Sequence, residues 1–368
     1  MSSSPTSSST NGSVPPTQTA RPGEPAFYAI FGDSGSGKSS MAAFDFPNFY
    51  FVGPVGGVSK VWRQVVGLPE SWLLSDRGAL WDLEALVAVL PAIAKSGVGG
   101  LVVDDMTILT DRTLRKKQHE FQGSKNKYAP FTAVMNITAM FRDTCRDWGL
   151  HTICLCHPMH AWVDERSGIY YAGRPKLAGR EAPLSFPGLC DGVLRAETAR
   201  EQVTGVVGAL PLASPLAAEV PLAAFAASSV PAPLGVIAPA STPWDEDWPG
   251  VLRHDPTDSR WITKCRLHTP DRVPMALGEI LRFGGYDIPR VKGEEWLDAV
   301  IAEGAKALAR GSNESEVLKG WAFQLMGERM SNVHRDWQYF ARVRVRRDMK
   351  ARAELLQRRE ARYASVGL

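Results

Sequence analysis

The run Gly32-Asp33-Ser34-Gly35-Ser36-Gly37-Lys38-Ser39 satisfies the pattern GxxxxGK[ST] at every position, and residues of these types at this spacing can hold a polyphosphate. The glycines let the backbone bend closely round an anion, while the amides from Gly35 to Ser40 converge at the positive end of a following helix. Lys38 would reach the β- and γ-phosphates. The Ser39 hydroxyl suits Mg²⁺, a hard cation that keeps several waters and takes few protein ligands. A second run, Gly100-Leu101-Val102-Val103-Asp104-Asp105, is apolar and ends in acid. Such a strand delivers a carboxylate to the crevice at its carboxyl end, so Asp104 is expected to hold the Mg²⁺ of a bound ATP through water.

Other residues suggest a polyanion. From Asp111 to Tyr128 the chain carries Arg112, Arg115, Lys116, Lys117, Lys125 and Lys127, with Phe121 and Tyr128 interleaved. Cations neutralise phosphates and aromatic faces stack on bases, which is the composition of a single-strand contact; a solvated helix face followed by a loop has the same composition. A second such stretch, Pro158 to Pro183, contains Trp162, Tyr170, Tyr171, Arg174, Lys176 and Arg180. Between the two stands Thr152-Ile153-Cys154-Leu155-Cys156, ending at His157. His157 would sit at a strand tip, where it can sense the γ-phosphate; Cys154 and Cys156 read as small apolar packing residues rather than metal ligands.

These groups need a frame to bring them together. Phe27–Phe31 reads as a strand before the phosphate loop and Ser39–Phe44 as the helix after it. Further strands are expected at Asn48–Val52, Gly192–Ala196 and Arg260–Leu267. Helices are expected at Trp81–Lys95 and Phe131–Trp148, from apolar residues at helical spacing. This is an α/β protein with a central, mostly parallel sheet. Beyond Lys292, the stripe Trp296, Leu297, Val300, Ile301, Leu308 and a capping box at Asn313 and Glu316 indicate helices. The segment Arg342–Arg362 carries nine Lys/Arg against three Asp/Glu on a helical pattern, read as a solvated helix, a track for phosphates, or a dock for an acidic partner.

Composition limits the alternatives. With 368 residues, 44% apolar and 22% charged, the chain is an ordinary globular one, and a net charge of +3 means that any nucleic-acid footprint must be local. Five cysteines without CxxC spacing point to a reducing compartment, the cytoplasm, and away from structural zinc. Residues 1–24 read as a disordered Ser/Thr/Pro-rich tail and not as a signal peptide. Residues 201–258 read as an Ala/Pro-rich flexible insert whose prolines break every window long enough to span a membrane. The core is then expected at 25–200 and 259–290, with a basic helical extension at 291–368.

The phosphate loop, Leu101–Asp104, the Cys156-His157 strand end, Lys176-Leu177-Ala178-Gly179 before Asp191-Gly192-Val193, and Thr263-Lys264-Cys265-Arg266 together resemble the RecA-type core ATPases encoded by bacteriophages, the group associated with single-strand annealing and recombination. The resemblance runs from Ala26 to Arg290, less the insert. It implies that His157 couples nucleotide state to the DNA loop after it. It also implies that segments 112–128 and 158–180 present two DNA loops. Lys264 and Arg266 resemble the Lys-x-Arg pair that related ring ATPases insert into a neighbouring subunit's site, so hydrolysis would require a homo-oligomer. The chain departs from RecA itself in having Gly53-Pro54-Val55-Gly56-Gly57, without an acid, after its second strand. Asp105 is the substitute for the water-orienting base, or else hydrolysis is slow and ATP acts as an assembly switch. An ATP-dependent single-strand-binding protein is thus expected. The alternatives are a ring helicase or packaging motor, and a nucleotide-gated adaptor that recruits a replication partner.

Overall fold

The structure is a computed structural model, and it describes residues 23–53, 73–75, 82–164, 168–179, 181–198, 250–255, 257–265, 267, 272–290, 296–319 and 335–365. Most of the 1–24 tail and most of the 201–258 insert therefore lie outside the described residues.

Strand β1 (Phe27–Phe31) has no exposed residue and runs along the middle of the molecule. Its alternating side chains feed two cores. Tyr28 and Ile30 enter one, and Phe27, Ala29 and Phe31 the other. A strand covered on both faces must be apolar throughout, which is why these strands read as continuous runs and not as alternations. Around it lie β2 (Tyr50–Gly53), β3 (Leu73–Ser75), β4 (Gly100–Asp104), β5 (His151–Cys156) and β10 (Gly192–Thr198), all parallel, in the order β10-β1-β5-β4-β2-β3. Strand β5 thus separates the strand that ends in the phosphate loop from the strand that ends in Asp104.

Beyond β10 the pairing turns antiparallel, with β11 (Gly250–Arg253), β12 (Lys264–Cys265) and β13 (Arg272–Pro274) completing the sheet. Residues 250–253 fall inside the stretch that composition assigns to the insert, yet they pair with β10 along its carboxyl half. The arrangement is a mostly parallel α/β sheet with an antiparallel edge.

One face is covered by α2 (Leu83–Lys95), α3 (Met106–Glu120), α4 (Ala129–Asp147) and α5 (Glu181–Leu189). The other carries α1 (Lys38–Asp45) and α6 (Leu277–Phe283), and on these packs the long C-terminal helix α9 (Arg335–Ser365), whose Leu355 joins that core. Helices α7 (Trp296–Ala309) and α8 (Glu314–Lys319) complete this layer. Gly304 of α7 lies directly under Met349 of α9; a Cβ there would come within 2.6 Å of its sulfur.

The basic helix is not a solvated one in its described middle, where Arg344, Arg347 and Asp348 are buried. Arg347 donates to Asp45 at the end of α1 and, at 2.7 Å, to Asp348. The other oxygen of Asp45 accepts the Gly278 amide at 3.0 Å. Glu279 accepts from Arg282 at 2.9 Å and Arg290 at 2.6 Å, and Arg290 reaches Asp298 at 2.8 Å. Burial pushes the Asp45 carboxyl up, against the pull of Arg347. Burial acts on Asp348 in the same sense, but the guanidiniums of Arg347, Arg344 and Arg290 outweigh it and hold that carboxyl below its usual range. Among the described residues no helix is long and apolar enough to cross a membrane.

Candidate nucleotide site

The phosphate loop spans β1 and α1 at the carboxyl edge of the sheet. Gly32 is required by close approach, since a Cβ there would lie 2.4 Å from the Ala196 carbonyl. Gly37 is required by conformation: its φ of 88° turns the chain into α1 in the left-handed region that glycine alone enters freely. No side chain caps this helix, so the amides of its first turn keep the donor capacity that an anion takes up. Ser36 is buried, Asp33 is half-buried, and Ser34 and Gly35 are exposed. The Lys38 ammonium folds over the loop and donates to the carbonyls of Gly32 at 2.6 Å and Asp33 at 2.9 Å and to the Ser36 hydroxyl at 3.2 Å. Burial lowers its pKa, and the carboxylates of Asp105 and Asp104 oppose that shift.

Asp104 ends β4 facing the start of α1, where the Ser39 hydroxyl donates to its carboxylate. Burial raises the pKa of Asp104, the Ser39 hydrogen bond lowers it, and the neighbouring Asp105 adds to the rise. A hydroxyl and a carboxylate already in contact form the hard oxygen set that Mg²⁺ prefers, so the residues fit the cation. Ser40 lies in the same first turn of α1, half-buried.

Asp105 opens α3 as its N-cap, its Oδ1 accepting the Thr107 amide at 2.6 Å. Its Oδ2 lies 2.8 Å from His157 Nε2. Both oxygens are thus engaged, which makes Asp105 the fixed partner of His157 as well as a neighbour of the phosphate loop. His157 stands at the tip of β5 with its side chain 41% exposed. Thr107, which the sequence did not single out, accepts from the His157 amide at 3.0 Å and donates to the Lys176 carbonyl at 2.8 Å. A threonine in a helix carries no pattern that would have flagged it.

The two basic and aromatic segments divide. In the first, Arg112 is half-buried, Arg115 exposed, and Lys125 and Lys127 lie in the exposed turn between α3 and α4 with Phe121 and Tyr128. Lys116 and Lys117 differ: Lys116 meets Asp82 at 3.0 Å and Glu84 at 2.9 Å, while Lys117 is buried and bonded to Glu84 and Glu120. They clasp α3 to the start of α2, and Lys117 in particular is not presented to a polyanion. In the second, β6 (Pro158–Met159) pairs with β9 (Arg174–Pro175), and β7 (Trp162–Val163) with β8 (Tyr170–Tyr171). Arg174 is 3% exposed and stacks over Trp162 and Tyr171, so it braces this arm from inside and is not a phosphate ligand on its surface. Lys176 is exposed, as are Val163, Ile169 and Tyr170. Arg180 lies outside the described residues.

Lys264 sits on β12 opposite Val193, level with Ala29 and therefore before the phosphate loop along the sheet. Arg266 lies outside the described residues. Cys154 and Cys156 are fully buried core residues, and burial drives both thiols well above the usual range. Among the described residues no cluster of His, Cys, Asp and Glu could hold a metal by itself.

No family model matches the chain, and no curated protein matches it. Solved structures share part of its shape, among them the following two. The KaiC-like protein PH0186 of Pyrococcus horikoshii OT3 is 11% identical, with a TM-score of 0.28 over 48% of this chain and 72% of that one. The RadB recombinase is 14% identical, with a TM-score of 0.29 over 48% of this chain and 76% of that one. At these values neither likeness assigns the chain an activity.

Proposed function

We propose that this chain is an ATP-binding and ATP-hydrolysing RecA-like protein that acts on single-stranded DNA in recombination, annealing or replication of the kind phages encode. The observation that carries the reading is the convergence of Lys38, Ser39, Asp104 and the Asp105–His157 pair at one edge of the sheet. Ser39 and Asp104 would hold Mg²⁺, which when bound supplies positive charge against the phosphoryl oxygens. The loop amides and Lys38 do the same from the protein side. Asp105 fixes the His157 ring beside the crevice, so that the pair can order a water or read the terminal phosphoryl group.

Arg112, Arg115, Lys125, Lys127, Lys176 and Arg180, with Phe121, Tyr128 and Tyr170, supply the charge and the stacking faces for an unpaired strand. Lys264 and Arg266 act in a neighbouring subunit's site within a ring or filament, a role supported by the position of Lys264 away from its own phosphate loop. The adaptor alternative loses ground, because the middle of α9 that would recruit a partner is packed on α1 and α6. Lys38→Ala tests the reading. It is expected to lower ATP turnover at least a hundredfold and to abolish the effect of ATP on affinity for single-stranded DNA; retention of both would contradict it.

A further inference from the structure

The segment that follows His157 leaves the sheet, forms the β6–β9 and β7–β8 pairs, and returns at Lys176 to Ala178. Within its described residues, Trp162 and Tyr171 stack at 4.7 Å and Arg174 lies over both rings. What joins this arm to the site is a set of hydrogen bonds at its base. The Thr107 hydroxyl accepts the His157 amide at 3.0 Å, where the arm departs, and donates to the Lys176 carbonyl at 2.8 Å, where it returns. The Lys176 amide closes the base by donating to the His157 carbonyl at 2.8 Å. One turn along α3, the Thr110 hydroxyl accepts the Ala178 amide at 3.1 Å and donates to the Thr107 carbonyl at 3.0 Å.

We propose that Thr107 and Thr110 are positioning residues that tie both ends of the 157–178 arm to the first two turns of α3, so that the arm follows any shift of Asp105 and His157 at the triphosphate. The inference rests on the nucleotide reading above. Its physical basis is that both threonines are buried, at 3% and 0% exposure. Water cannot replace their bonds, and separating the arm from α3 would leave backbone groups unpaired. A hydroxyl is required because each position both accepts and donates. The first of these turns is set by Asp105, whose carboxylate caps the Thr107 amide and holds the His157 ring. Phosphate sensing and arm anchoring therefore share the start of one helix. The arm is also tied at Gly173 to Arg260 and Ile262, on the segment leading to Lys264.

Hydrogen exchange of the full chain, with and without Mg²⁺ and a non-hydrolysable ATP analogue, separates the possibilities. In the wild type the analogue is expected to slow exchange about tenfold in both residues 32–41 and residues 157–178. Thr107→Val should keep the first effect and reduce the second to under twofold, and Thr107→Ser should restore it. Thr110→Val, which frees only the Ala178 end, should lose the effect at 176–178 and serves as the test if Thr107→Val fails to fold. Slowing of 157–178 in both valine variants overturns the inference, as does a wild type in which only 32–41 responds. A wild type with no response at 32–41 removes the nucleotide reading itself, and the inference with it.

Discussion

Ser39 and Asp104 lie at the ends of separate elements, and the hydrogen bond between them turns two sequence motifs into one site. The motifs were legible because their chemistry is local: a glycine at a positive φ and a lysine one residue later mean much the same in any fold. Charge is not local in this sense. Lys117 and Arg174 look like surface cations in composition, but one is clasped by Glu84 and Glu120 and the other lies over the Trp162 and Tyr171 rings. A half-buried carboxyl makes a prediction at this scale. Burial pushes the Glu354 carboxyl from 4.5 up to about 7, with Lys350 and Arg272 working against the shift. A raised acid keeps its proton in the folded chain after the unfolded chain has lost it, so its contribution to stability falls as pH rises from about 4.5 to 7 and is level above that. Glu354→Gln should flatten that fall, seen as a smaller loss of melting temperature between pH 5 and pH 7 than in the wild type. An unchanged slope would show that the carboxyl titrates normally.

Helix α1 is held at both ends: its first turn carries Lys38 and Ser39, and its last residue, Asp45, is bonded to Arg347 of α9 and to the Gly278 amide of α6. The C-terminal helix is therefore part of the framework behind the phosphate loop. This was hidden in the sequence because nine cations against three acids within 342–362 look unpaired, whereas their partners Asp45, Glu279 and Glu314 lie far away in the chain. The central strands β1, β2, β4 and β5, by contrast, announced themselves through continuous apolar runs. Removing one partner of a buried ion pair leaves the other uncompensated, at about 3–5 kcal/mol. Arg347→Met alone should lose stability on that order in urea unfolding and weaken ATP binding as α1 loosens. Adding Asp45→Leu should recover part of both. A single variant as stable as the wild type would show that the pair carries no weight.

At the level of the whole molecule, the α/β class and the strand-loop-helix setting of the phosphate site could be read directly. The order β10-β1-β5-β4-β2-β3 could not, since strand neighbours depend on contacts between distant segments. The boundary of the Ala/Pro-rich stretch was equally hidden, because the short strand Gly250–Arg253 has no pattern apart from its partner β10. The account nevertheless makes a claim about assembly: the triphosphate is completed by a neighbour's cations and controls the grip on an unpaired strand. The most direct measurement is ATP turnover per chain over a hundredfold range of protein concentration, with and without single-stranded DNA. The account predicts that specific turnover rises steeply with concentration and rises further with DNA. A specific turnover that is constant across the range and indifferent to DNA would contradict it.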